Sequence, residues 1–68
     1  MCMEQFSIVI KNLITNKTKT VKLLCMDHYE AHKRVCNNIN LFSEEIVSIK
    51  DSCKHEVYNL NDGFIFES

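Results

Sequence analysis

Apolar and polar positions alternate at the start of the chain. Phe6, Ile8 and Ile10 are separated by Ser7 and Val9, and this period of two residues is typical of a strand that buries one face. The pattern predicts a first strand over about residues 4–13. We expect Phe6, Ile8 and Ile10 to form its core face.

A polar segment interrupts this alternation, which then resumes. Residues 15–18 are Thr-Asn-Lys-Thr, and asparagine tolerates the left-handed backbone of a tight turn. Beyond them, Val21, Leu23 and Cys25 again occupy every second position. The two segments therefore predict a β-hairpin with a short loop.

A helical pattern follows the hairpin. Asp27 and Glu30 have the spacing of a capping box, in which the first side chain accepts from an early helical N–H and the second reaches back. At 100° per residue, one side of the helix over residues 28–39 gathers the residues expected to face the sheet: His28, Tyr29, Ala31, His32, Val35, Cys36 and Ile39. Asn37, Asn38 and Asn40 are poor helix formers, so the helix is expected to end near residue 38.

The last third of the chain contains three further strand signals. Residues 45–51 alternate again and predict a third strand with Val47 and Ile49 on one side. Leu41 and Phe42, which precede it, are expected to plug the end of the core. Residues 55–60 predict a fourth strand, and residues 64–66 a short fifth strand after a turn at Asp62-Gly63.

These elements predict an α+β fold in a single domain over residues 1–68. The expected architecture is a small antiparallel sheet with one helix packed across one face, in the order ββαββ(β). Such a sheet has at least one open edge, and the chain has no proline to blunt it. We therefore expect a homodimer through a sheet edge, or the addition of a partner strand.

Composition narrows the class of protein. The chain is 46% hydrophobic and 25% charged, as in soluble globular proteins. Its apolar runs are far shorter than the ~20 residues of a membrane helix, and its first residues lack the basic start and apolar core of a secretory signal. We expect a cytoplasmic protein with no membrane partner. Abundant Lys, Asn and Ile, with one Gly and no Pro, suggest an AT-rich genome such as that of a phage or mobile element.

Cysteines and histidines on the helix are the first candidates for chemistry. Cys25, His28, His32 and Cys36 are all possible zinc ligands. Cys36 lies about two helical turns (~12 Å) from His28, however, which is too far for a shared ion. Only His28 and His32 with Cys25, or with a distant residue such as Cys53 or His55, remain open as a site. The prediction is no metal, no cofactor and reduced thiols.

The candidates for catalysis are also weak. A Cys–His nucleophile needs an oxyanion hole and a cleft, which a short chain with one glycine is poorly able to supply. Glu44 and Glu45 are adjacent on a strand and therefore point to opposite faces, unlike the paired carboxylates of a glycosidase. We predict that the protein is not an enzyme.

The charge is divided along the chain, and it leads to the functional hypotheses. The net charge of −1 combines +3 in residues 1–36 (six Lys or Arg, three acids) with −4 in residues 37–68 (two Lys, six acids). The leading hypothesis is a small protein-binding or inhibitor module that acts stoichiometrically on a host protein, its acidic surface imitating nucleic-acid phosphate. The predicted interface contains acids and aromatics: Glu44, Glu45, Asp51, Glu56, Tyr58, Asp62, Phe64 and Phe66.

Two alternatives stay open. The first is a small nucleic-acid-binding regulator that uses a basic hairpin and helix surface. Its residues would be Lys17, Lys19, Lys22, Lys33 and Arg34, provided that they share one face. The second alternative is a homo-oligomeric structural protein with no foreign partner.

Overall fold

The structure, a computed structural model, describes residues 3–65. In chain order these residues form β1 (Glu4–Asn12), β2 (Thr18–Cys25), α1 (His28–Asn38), β3 (Glu44–Lys50), β4 (Glu56–Asn59) and β5 (Gly63–Phe64). The strands make one antiparallel sheet in the spatial order β2-β1-β3-β4-β5. The predicted α+β class and the order ββαββ(β) are confirmed.

The core lies between the sheet and α1. On β1, Phe6, Ile8 and Ile10 are almost completely buried, as their alternation predicts. From the helix, Ala31 and Val35 close over them. Burying a side chain of the size of Ile or Phe contributes about 1.5–3 kcal/mol, so this layer is the main source of stability in a small fold.

A bulge in β3 changes the predicted faces of that strand. Ile46 and Ser48 lie opposite neighbouring residues of β1, which leaves Val47 as an extra residue in the ladder. Because of this insertion, Ile46 and Ile49 both face the core although they are three positions apart. The expected pairing of Val47 with Ile49 on one side is therefore wrong, since a bulge interrupts the period of two.

The ends of α1 follow local signals. Asp27 is the N-cap, and its Oδ1 accepts a hydrogen bond from the Glu30 N–H at 2.8 Å. The Glu30 carboxylate accepts from the Met26 N–H at 3.2 Å, so the capping box is confirmed. The helix ends at Asn38, and Ile39 leaves it with extended backbone.

The predicted turns also form. Asn16 has φ of 61° in the β1–β2 loop and Gly63 has φ of 73° after β4, in the left-handed region that Asn and Gly tolerate best. Of the fifth strand expected over residues 64–66, Phe64 is paired with Tyr58. Phe66 lies outside the described residues.

The two faces of the sheet differ in what covers them. α1 packs on the face that carries Ile8, which we call the helix face. No helix or strand of residues 3–65 packs on the opposite face, which we call the open face. No helix in this range is long and apolar enough to cross a membrane.

Candidate functional site

Five large apolar side chains are exposed at one end of the sheet. In an antiparallel sheet, the end of β1, the starts of β2 and β3 and the end of β4 lie on the same side. Three loops meet there, and together they expose the residues that we call the apolar end: Leu13, Ile14, Leu41, Phe42 and Leu60.

Contacts between the loops hold the apolar end together. The Leu13 N–H donates to the Ser43 carbonyl at 2.7 Å, which joins the β1–β2 loop to the loop before β3. Leu41 and Leu60 line one concavity of ≈ 280 Å³, with Ile46 among its other lining residues. The loops that carry the five side chains therefore adjoin at this end of the sheet.

Phe42 is the most exposed side chain of the group. It is 97% exposed, and Ile14 is 79% exposed. A turn projects Phe42 outward, because Asn40 Oδ1 accepts from the Phe42 N–H at 3.0 Å and the Asn40 carbonyl accepts from the Glu44 N–H at 2.7 Å. The expectation that Leu41 and Phe42 plug the end of the core is therefore wrong.

An exposed apolar group of this kind points to an interface. Proteins that stay monomeric rarely expose contiguous apolar patches unless the patches are functional, and aromatic side chains are enriched at protein interfaces. The sequence contained a signal for these residues, since Leu13-Ile14 and Leu41-Phe42 are adjacent apolar pairs at the ends of periodic segments. A period of two or of 3.6 residues does not explain such pairs.

Two residues of the predicted acidic interface are brought together. The Asn59 side-chain amide donates to Glu56 Oε1 at 2.9 Å and to Asp62 Oδ2 at 3.2 Å. Asn59 Oδ1 in turn accepts from the Asp62 N–H at 2.6 Å. These two carboxylates thus lie side by side along β4 and the turn that follows it.

The other three acids lie elsewhere in the sheet. Glu44 Oε2 lies 3.4 Å from Lys19 Nζ, and Glu45 is opposite Lys11 in the ladder. Asp51 stands at the other end of β3, where its Oδ1 accepts from two backbone N–H groups of the turn over residues 51–55, both at 2.9 Å. The five predicted acids are therefore spread over both ends of the sheet.

The predicted aromatic residues pack inward on the helix face. The rings of Tyr58 and Phe64 have centroids 5.1 Å apart. His32 of α1 contacts both, with centroid distances of 5.0 Å and 5.2 Å. Their packing against the helix extends the core, so they contribute to the fold. Phe66, the third aromatic of the predicted interface, lies outside the described residues.

The basic residues of the nucleic-acid alternative lie on different faces. Lys22 is opposite Ser7 in the ladder, on the open face. Lys33 and Arg34 belong to α1, on the other side of the sheet, and Arg34 forms an ion pair with Glu30 at 2.7 Å. Lys19 is paired with Glu44 as described above, and Lys17 is in the exposed β1–β2 loop.

A cysteine and a histidine of α1, both half-buried, approach each other at the edge of the core. Cys36 Sγ lies 3.6 Å from His32 Nδ1. Burial lowers the pKa of His32 and raises the pKa of the Cys36 thiol, so both groups favour their neutral forms. A nucleophilic cysteine needs the opposite shifts, a thiolate beside a protonated imidazole.

The remaining metal-binding and thiol candidates are separated in the fold. Cys25 is buried, and burial is the main cause that raises the pKa of its thiol. Cys25, Cys36 and Cys53 are free thiols. Between residues 3 and 65, no group of three or more His, Cys, Asp or Glu side chains is placed to hold a metal ion. That the chain is not an enzyme stays a prediction.

His28 occupies an apolar setting at the start of α1. Its ring packs against Tyr29, with centroids 4.3 Å apart, and against Phe64 at 5.5 Å. His28 Nε2 is inaccessible to solvent and has no hydrogen-bond partner within the described part of the chain. A polar atom in that position opposes folding unless it is satisfied.

The comparisons with known proteins identify no relative. The chain matches no protein-family model, no curated protein and no solved structure. Its function is therefore inferred from the surfaces of the molecule.

Proposed function

We propose that the chain is a small protein-binding module that acts stoichiometrically on a larger protein through the apolar end. The observation that carries this proposal is the exposure of five large apolar side chains on three adjoining loops, with Phe42 97% exposed. Burying one side chain of this size on a partner contributes about 1.5–3 kcal/mol. A few such anchors supply most of the energy of a typical interface.

Hydrogen bonds within and between the loops fix their backbone. Asn12 Oδ1 accepts from the N–H groups of Ile14 and Thr15 at 2.9 Å and 3.0 Å. The bond between Leu13 and Ser43 ties this loop to its neighbour. Binding therefore orders little backbone, which favours affinity because the conformational cost of association is small.

Covering a working surface of the partner is the mode of action that we propose. An inhibitor that covers such a surface needs no chemistry of its own, and the neutral His32–Cys36 pair is not suited to nucleophilic catalysis. The amino-acid usage of an AT-rich genome supports a phage or mobile-element protein whose partner is a protein of its host.

Affinity capture with matched variants tests the proposal. Immobilised wild-type protein and Phe42→Ser are incubated with host lysate, and the retained proteins are quantified. We expect one protein to be retained at a 1:1 ratio by the wild type and lost with Phe42→Ser. Met26→Ser, which removes an exposed apolar side chain at the opposite end of the sheet, should retain it.

Thermal unfolding of the same variants shows that any loss is not a folding defect. Because Phe42 is exposed, Phe42→Ser should change the free energy of unfolding by no more than about 0.5 kcal/mol. Equal retention by the wild type and Phe42→Ser contradicts the proposal. Recovery of nucleic acid in a salt-sensitive manner, without a protein, supports the alternative of a nucleic-acid-binding regulator.

A further inference from the structure

β2 is an edge strand with a free main-chain ladder. It pairs with β1 on one side, and no strand within residues 3–65 pairs with its other side. In an antiparallel strand, alternate residues direct their N–H and C=O groups outward. Over the eight residues Thr18–Cys25, these groups can accept an additional strand.

An apolar groove lies beside this edge, on the helix face. β2 and α1 enclose a concavity of ≈ 290 Å³, and its lining includes Val21 and Leu23 from the strand and Val35 and Ile39 from the helix. A strand added to β2 would lie ~4.8 Å from it and place every second side chain over the same face. Two apolar side chains of that strand would therefore meet Val21 and Leu23.

The charge of the edge selects the partner. Residues 13–26 contain three lysines and no acidic residue. Lys22 lies on the open face and forms no ion pair with any residue of the described range. Lys19 is on the helix face, and its side chain is 60% exposed although it contacts Glu44. The edge strand thus carries one lysine on each face, with Lys19 beside the groove and Lys22 on the open face.

A second copy of the chain fits this edge poorly. Pairing β2 with β2 of another copy would bring Lys19 and Lys22 of each copy to one seam, without any acidic residue in either strand. Like charges on adjacent strands are destabilising, and lysines on an edge strand oppose pairing between copies. An extended segment of another protein that carries carboxylates satisfies the same main-chain groups without this repulsion.

We propose that β2 binds an extended acidic segment of another protein as an antiparallel sixth strand. The partner residues opposite Leu23 and Val21 are apolar, and those opposite Lys22 and Lys19 are acidic. The partner residue opposite Thr20 is unrestricted. Because the strands are antiparallel, the partner residue opposite Leu23 comes first in the partner's sequence. The apolar residues lie over the groove and the carboxylates lie beside the two lysines. This goes beyond the apolar end, because it uses the main chain of β2 and does not need Phe42.

A synthetic peptide provides the test. The probe is N-acetylated, C-amidated Thr-Val-Glu-Ile-Thr-Glu-Thr, and its binding is followed by backbone amide NMR shifts of the full-length protein. We expect saturable shifts concentrated on β2 and the C-terminal half of α1. Lys22→Glu should bind the peptide about fivefold more weakly than the wild type does. A second peptide has lysine in place of the first glutamate. It should bind Lys22→Glu as tightly as the first peptide binds the wild type, and it should bind the wild type more weakly.

Controls distinguish this surface from the apolar end. Phe42→Ser should bind the peptide as the wild type does, so failure of one proposal leaves the other standing. The proposal is overturned if the peptide causes no saturable shifts, if a shuffled peptide of the same composition binds equally well, or if Lys22→Glu binds it unchanged. A wild-type dimer in sedimentation that the peptide dissociates would assign the edge to a second copy and also overturn it.

Discussion

At the scale of single residues, burial decides the chemistry of the helix. His32 and Cys36 are close enough to interact, at 3.6 Å, but removal from water disfavours the charged form of each. The pair therefore contributes to packing at the edge of the core, where His32 also contacts the rings of Tyr58 and Phe64.

The lowered pKa of His32 predicts a pH dependence of stability. Burial places the pKa of His32 in the folded protein below its ordinary value of 6.5. Well above pH 6.5 the group is neutral in both states, so its full contribution to stability is present. As the pH falls, the unfolded state takes up the proton first, and the free energy of unfolding decreases until the pH passes below the pKa of the folded protein.

Urea unfolding between pH 7.5 and pH 5.5 measures this effect. The wild type should lose stability across the range, and His32→Phe should lose less because the titrating group is gone while a ring remains. Equal slopes for the wild type and His32→Phe would show that His32 is not the group responsible.

The unsatisfied nitrogen of His28 predicts a stabilising substitution. Its Nε2 is inaccessible to solvent and has no hydrogen-bond partner among the described residues, and such a group costs about 1–3 kcal/mol. His28→Phe keeps the ring contacts with Tyr29 and Phe64 and removes the polar atom. We expect the free energy of unfolding, measured with urea, to rise by about 1 kcal/mol. A lower free energy of unfolding for His28→Phe than for the wild type would contradict the interpretation that Nε2 is unsatisfied.

At the scale of elements, sequence signals that span only a few residues predicted the helix start and the first strand correctly. The capping box of Asp27 and Glu30 and the alternation of β1 depend on neighbours in sequence, and the structure has both. The bulge at Val47 depends on the register with β1, which lies more than thirty positions earlier in the chain. No local pattern contains that information.

The candidate sites also differ in whether the sequence could predict them. The open edge of the sheet followed from the predicted element order, and the structure places β2 there. The exposure of Phe42 did not follow, because it depends on a turn around Asn40. The inward position of Phe64 depends on its pairing with Tyr58, which the sequence could not distinguish from an exposed aromatic residue near the C-terminus.

The N-cap of α1 provides a prediction at this scale. Asp27→Ala removes the acceptor of the Glu30 N–H and should lower the free energy of unfolding by about 1 kcal/mol. Asp27→Asn keeps a capping oxygen and should recover most of that loss. Thermal unfolding monitored by circular dichroism compares the three proteins. If Ala and Asn destabilise equally, the charge of Asp27 and not the cap is what matters.

At the scale of the whole molecule, one helix on a five-stranded sheet leaves two kinds of surface for partners. The apolar end is built from loops and offers side chains, whereas the β2 edge offers its main chain beside a groove. The first is held by hydrogen bonds between loops and the second by the pairing of β2 with β1. A module with two such surfaces could hold one partner at two places or connect two partners.

Photo-crosslinking from position 42 tests the central claim, that the apolar end binds another protein. In one variant the photoreactive residue p-benzoylphenylalanine replaces Phe42. In a second variant it replaces Met26, which lies at the opposite end of the sheet. Each variant is irradiated in host lysate. The account predicts a single 1:1 adduct with one protein from position 42 and none from position 26. No adduct from position 42, or the same adduct from both positions, would contradict it.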